Sequence, residues 1–226
     1  TSFKDKARKN PENVNAGLLT YPVLMAADII IHKAQFVPVG KDQEQNLEMA
    51  RKFAGRFNRM YNCELFPLPQ PFTFDGKDMI KVPGLDGSGK MGKSEGNGIF
   101  LYEDPKDIRK KVMRAVTDAG PIEPNSKKAE AVENLFTLLK IVSTPEVVAQ
   151  FEASYNDCSI RYGDLKKQLA EDIIAYTSPI RERILEILKD EDYLAKVAKQ
   201  GAEKARESAQ KTLQEVKELI GFRRLF

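Results

Sequence analysis

The run Phe36-Val37-Pro38-Val39 constrains the fold most, because of what flanks it. Residues 18–34 before it read as an apolar helix, and Gln43 to Asn58 after it read as a second helix. A short strand between two helices predicts an α/β layer with a parallel sheet. Tyr21-Pro22 places a proline near the first turn, where its missing N–H does no harm. Val23 to Ile31 is apolar nearly all round except for Asp28, which predicts a buried helix. Asp42 is the expected N-cap of the second helix, with Gln45 three residues on. Residues 1–16 are charged and polar and predict a mobile loop or frayed segment. Residues 62–83, with Pro67, Pro69, Pro71 and Pro83, predict irregular connections with short strands.

From Pro105 the pattern changes to helical spacing throughout. Helices are expected from Pro105 to about Val116, over 129–142 and 145–154, over 161–188 with an interruption near Pro179, and over 191–219. Gly221 is the expected C′ residue of the last one. The expected organisation is an α/β domain over 1–104 and an all-helical domain over 105–226.

Chemistry concentrates in Gly84-Leu85-Asp86-Gly87-Ser88-Gly89-Lys90-Met91-Gly92-Lys93-Ser94. Such a loop offers free backbone N–H groups, close approach without Cβ atoms and movable positive charge, which suit a triphosphate. Gly84 to Lys90 fits the G-x-x-x-x-G-K of a P-loop, but Met91 stands where Ser or Thr should hold Mg²⁺. Gly87, Gly89 and Gly92 spell G-x-G-x-x-G, which needs a strand before it and a helix after it; Glu95-Gly96-Asn97-Gly98 starts a helix poorly. Lys90-Met91-Gly92-Lys93-Ser94 is a close variant of the Lys-Met-Ser-Lys-Ser loop of class I aminoacyl-tRNA synthetases. A glycine- and lysine-rich surface loop serving solubility is the bland alternative.

Bulk properties narrow the class. With 42% hydrophobic and 31% charged residues among 226, the chain reads as an ordinary soluble globular protein. A net charge of +3 permits a local basic face and demands none. Cys63 and Cys158 form no C-x-x-C pair, which argues against a disulfide scaffold or a zinc site and fits reduced thiols in a cytoplasm. No stretch approaches ~20 continuous apolar residues, so no membrane span is expected, and no secretory signal pattern is visible at the start.

Tyr21-Pro22-Val23-Leu24-Met25-Ala26-Ala27-Asp28-Ile29-Ile30, Phe36-Val37-Pro38-Val39-Gly40-Lys41-Asp42-Gln43, Ala115-Val116-Thr117-Asp118 and Gly201-Ala202-Glu203-Lys204-Ala205 join the Lys90 to Ser94 loop in one further reading. In this order they resemble the bacterial tryptophanyl-tRNA synthetase family over essentially the whole chain. The resemblance implies the second half of a Rossmann-like catalytic domain, followed by a helical anticodon-binding domain. It implies ATP as substrate with Mg²⁺ bridging its phosphates on few or no protein ligands, and tRNA(Trp) and tryptophan as partners. A homodimer of the full-length enzyme, cytoplasmic and without membrane attachment, is implied as well. The family's N-terminal His-x-Gly-His cannot occur here, because His32 is the only histidine. The expectation is therefore a C-terminal piece of a longer protein, inactive alone. His32, at the end of an apolar run, is expected to be structural.

By resemblance, Asp28 accepts a hydrogen bond from the indole N–H. Indole is a donor only, so a carboxylate is its natural complement. Tyr21, Met25, Val37 and Val39 line the indole pocket and Gln43 reaches the ammonium or carboxylate of the amino acid, although plain core packing would also explain the apolar ones. Gly40, Lys41 and Asp42 hold the adenosine end of ATP, Lys41 standing where an acidic residue is usual, and Val82 makes a backbone contact to adenine. Lys90, Met91, Gly92, Lys93 and Ser94 hold the triphosphate, with Lys90 and Lys93 as the catalytic pair. Gly92 replaces a serine, which should loosen the loop and removes one hydroxyl. Tyrosyl-tRNA synthetase, a P-loop-like nucleotide-binding protein and a non-catalytic RNA-binding chain stand as alternatives.

Overall fold

The computed structural model describes residues 2–9, 11–40, 43–72, 81–93 and 95–222. The chain divides into two compact units, Thr1–Met79 with Lys196–Phe226, and Ile80–Ala195.

The first unit begins with α1 (Ser2–Lys9), where a loop was expected. Lys, Ala and Arg dominate that stretch, and all are good helix formers. Asn15 caps α2 (Ala16–Ile31), its side chain accepting from the Leu18 N–H at 3.0 Å. The helix thus starts two residues earlier than predicted, and Pro22 lies inside it. α2 is not buried all round, as Leu19, Val23 and Leu24 are exposed. It packs on α3 (Glu44–Met60) through Ala26 and Ile29 against Leu47 and Ala50. Ala26, Ala50 and Ala54 are fully buried, and such small side chains allow close approach of backbones.

The expected strand forms as β1 (Phe36–Pro38) and pairs in parallel with β2 (Gln70–Phe72), Phe36 opposite Gln70 and Pro38 opposite Phe72. α3 is the crossover between them, as parallel pairing requires. Asn58 closes the return. Its amide donates to the Phe66 carbonyl at 2.8 Å and accepts from the Phe66 N–H at 3.1 Å.

Four helix ends share one geometry. Lys33, Asn62, Cys158 and Gly221 all have positive φ, at 49°, 46°, 63° and 81°. Each sits at C′ and donates to a carbonyl three residues back, while the next residue reaches five back, as Phe222 does to Lys217 at 2.8 Å. This is the Schellman arrangement. Gly221 bears out its predicted role at the end of α8 (Glu191–Leu219). Gly221→Ala is expected to destabilise the chain by about 1 kcal/mol, read as a lower urea midpoint at constant m-value. His32 is the C-cap of α2 and its Nδ1 lies 3.1 Å from the Ser208 hydroxyl on α8, next to the Lys33–Glu215 ion pair, so it is structural as expected.

The second unit holds α4 (Pro105–Met113), α5 (Glu130–Val142), α6 (Pro145–Asn156) and α7 (Tyr162–Ile187). Ile108, Val112, Leu135, Phe136, Leu139, Leu165 and Leu169 form its core. A two-bond clasp from Arg109 to Glu171, at 2.6 and 2.9 Å, ties α4 to α7. α7 runs through Pro179 without the predicted interruption. A mid-helix proline costs roughly 3 kcal/mol, and burial of Leu165, Leu169, Ala170, Ile173 and Thr177 along the preceding turns outweighs it.

Candidate active site

In the first unit, Met25, Val37 and Val39 come together around the α2–α3 core. All three are half-buried. Tyr21 and Gln43 are linked to each other through a residue that the sequence reading missed. Asn46, only 3% exposed, donates to Gln43 Oε1 at 2.8 Å and to the Tyr21 hydroxyl at 3.3 Å. The available signal was the Gln43/Asn46 spacing of three on one helix face. Gln43 occupies the position before α3 and makes no side-chain capping bond. Gly40 is half-buried and its carbonyl accepts from the Gln43 N–H at 2.9 Å. Lys41 and Asp42, including the cap expected of Asp42, lie outside the described residues.

Asp28 is exposed on α2, three residues after Met25. Although α2 was expected to be buried, the side that carries Asp28 is open and its charge stays accessible to water. No described residue gives it a hydrogen bond or ion pair.

In the second unit, the glycine-rich loop is a compact, internally bonded structure. Gly84 N–H donates to Ser88 O at 2.9 Å, Met91 N–H to Val82 O at 2.8 Å, and Leu85 N–H to Asn97 O at 3.0 Å. The Val82 carbonyl is thereby occupied. Asp86 accepts from the Ser88 hydroxyl at 2.6 Å and the Ser88 N–H at 3.0 Å, and these bonds hold its carboxyl below the usual carboxylate range. Two asparagines fasten the loop. Asn134 on α5 donates to Gly87 O and Ser88 O at 3.0 and 3.1 Å. Asn97, 6% exposed, reaches Asp86, Ser88, Lys90 and Gly92. Lys90 and Lys93 are exposed, and neither pairs with a described carboxylate. Ser94 is outside the described residues.

Among the described residues no helix follows the loop until Pro105, so the dinucleotide fingerprint through Gly87, Gly89 and Gly92 lacks its required context. Ala115 to Asp118 braces the loop instead. Val116 N–H donates to Leu85 O at 3.0 Å, Lys166 reaches Thr117 Oγ1 at 3.3 Å, and the Tyr162 hydroxyl donates to Asp118 at 2.6 Å. Burial, then the Asp118 carboxylate, pushes the Tyr162 phenol well up, so it stays a donor across the physiological range. Among the described residues no three His, Cys, Asp or Glu side chains gather to hold a metal, and no helix is long and apolar enough to cross a membrane.

The family model of the class I tRNA synthetases (W and Y) matches residues 1–178, and the chain belongs to that family. The tryptophan–tRNA ligase of Porphyromonas gingivalis is 68% identical to it over 99% of this chain and 68% of the relative. The tryptophan–tRNA ligase of Wolinella succinogenes is 42% identical over 98% of this chain and 67% of the relative. The crystal structure of Campylobacter jejuni tryptophanyl-tRNA synthetase with ADP and tryptophan superposes with a TM-score of 0.76 at 35% identity, covering 97% of this chain and 67% of that one. The chain thus spans about two thirds of the length of the relatives it matches.

Proposed function

We propose that this chain carries the tryptophan pocket and triphosphate loop of a tryptophan–tRNA ligase, which joins tryptophan to ATP as the adenylate and passes it to tRNA(Trp). The observation that carries the reading is 68% identity to a ligase of that name, and the buried Asn46 that donates to both Gln43 and Tyr21 supports it. Asp28 is the acceptor for the indole N–H. Met25, Val37 and Val39 offer the apolar wall, and Gln43 meets the amino acid's polar end. Gly40, Lys41, Asp42 and Val82 take the adenosine.

The tryptophan carboxylate attacks the α-phosphate of ATP, a phosphorus–oxygen bond forms as pyrophosphate leaves, and no side-chain base is required. Charge grows on the pyrophosphate, where Lys90 and Lys93 stabilise it. Mg²⁺ carried with the ATP would supply further positive charge at the phosphates. Residues 1–104 are assigned to the catalytic domain and 105–226 to anticodon binding, and the enzyme to a homodimer, on the family resemblance.

ATP–pyrophosphate exchange on the complete reading frame tests this. Exchange with tryptophan and none with tyrosine is expected. Exchange with tyrosine, or with neither, would overturn the assignment. The 226 residues alone are expected to give none, since one histidine cannot supply His-x-Gly-His.

Asn46→Leu is expected to raise the KM for tryptophan about tenfold, because Gln43 and Tyr21 lose a buried donor. Tryptophan dependence of the exchange rate reads it directly, and an unchanged KM would remove Asn46 from the site.

A further inference from the structure

We infer that Asn97 is the positioning residue of the lysine loop: its side-chain amide fixes the Lys90-Met91-Gly92 backbone, and so the starting points of both lysines. The inference rests on the functional reading above. Asn97 Nδ2 lies 3.1 Å from Lys90 O, and Asn97 Oδ1 accepts the Gly92 N–H at 2.9 Å. One amide thus grips both ends of a three-residue arc. The other acceptors of Nδ2 are Asp86, at 3.1 and 3.2 Å from its two oxygens, and Ser88 Oγ at 2.9 Å. A carbonyl and a carboxylate need donors and the Gly92 N–H needs an acceptor, so an amide in this orientation satisfies all three and no other side-chain type does.

Lys90 and Lys93 pair with no described carboxylate, so what the fold sets for each is the backbone position from which its flexible stem reaches. Preorganised charge acts on a developing anion without reorganising first, and that advantage needs a fixed backbone. The surroundings are shaped for this contact. A Cβ at Gly84 would fall 2.4 Å from Asn97 Nδ2, 2.5 Å from Asp86 Oδ1 and 2.6 Å from Ser88 Oγ, so only glycine leaves room for it. The Gly92 bond uses the backbone N–H, so the arc is held without a hydroxyl at that position.

The test uses the complete reading frame with Asn97→Ala, the isosteric Asn97→Asp, and the swap Asp86→Asn/Asn97→Asp. In each single variant the KM for ATP is expected to rise about tenfold while that for tryptophan stays within about twofold. The swap restores an amide–carboxylate pair, with the new carboxylate still able to accept from Gly92, and should recover part of the loss. Amide hydrogen exchange checks the contact without catalysis: protection at Gly92 should fall about tenfold in Asn97→Ala, with α5 unchanged. Unchanged Gly92 exchange, or equal rises in both KM values, would overturn the inference. A wild type without tryptophan-dependent exchange would overturn the functional reading alone, and Gly92 exchange would still decide whether Asn97 holds the arc.

Discussion

Replacing Asp28 with alanine is expected to lower kcat/KM for tryptophan by about 10²- to 10³-fold while leaving thermal stability almost unchanged. A site built to accept a buried hydrogen bond loses transition-state binding when the acceptor goes, and selectivity of this origin reaches roughly 10⁴-fold or more in synthetases. Stability should hold because Asp28 is exposed and bonds to no described residue. Alanine is also the better helix former, by a few tenths of a kcal/mol up to about 0.7. Exchange assays on the complete reading frame over a tryptophan series, with melting curves beside them, separate the two quantities. An unchanged tryptophan dependence would exclude Asp28 from the pocket. A large drop in melting temperature would show instead a structural carboxylate.

Phe136→Ala should do the opposite and act on the fold. Phe136 is fully buried and packs edge-on against Tyr155, with ring centroids 6.1 Å apart. The Lys128 ammonium lies 4.6 Å from its centroid and 4.8 Å from that of Tyr155, and pairs with Glu152 at 2.6 Å. Truncation leaves a cavity in the helical core, which costs about 3–5 kcal/mol for an aromatic ring. It also strips one π face from a cation that is largely withdrawn from water. Urea unfolding should show a midpoint lowered by more than 1 M, given an m-value of about 1–3 kcal/mol/M. A loss under about 1 kcal/mol would mean that the α5–α6 interface relaxes around the gap.

Much of the fold was legible because it follows from local chemistry. The strand at Phe36 opens on two β-formers, Phe36 and Val37, and its parallel partner follows from a single intervening helix. α5 was expected one residue earlier than it starts and α6 two residues shorter than it is, while α8 matched, since their apolar spacing and stops sit in adjacent residues. The lysine loop and the Tyr21 to Gln43 residues were legible as patterns, through their likeness to a family. The errors share a cause. Hydropathy predicted α2 buried all round, yet burial depends on how many neighbours pack against a helix, and only Ala26 and Ile29 are buried. Local rules broke α7 at Pro179, whereas the packed turns before it keep the helix whole.

The sequence by itself determined the element types beyond α1, which forms where a loop was expected, together with the family and the identity of the chemical groups. Periodicity, capping and motif order are properties of neighbours along the chain. The tertiary structure decided which polar side chains bind the elements together. Asn46 and Asn97 are unremarkable letters in the sequence. One is buried between Tyr21 and Gln43, the other between Asp86 and the Lys90 to Gly92 backbone. The same holds for the left-handed helix ends. Glycine announces its own at Gly221, while Lys33 and Cys158 adopt theirs with no glycine present. The helix-terminal carbonyls there must find donors once the fold is formed, and that demand outweighs the local preference of the residue.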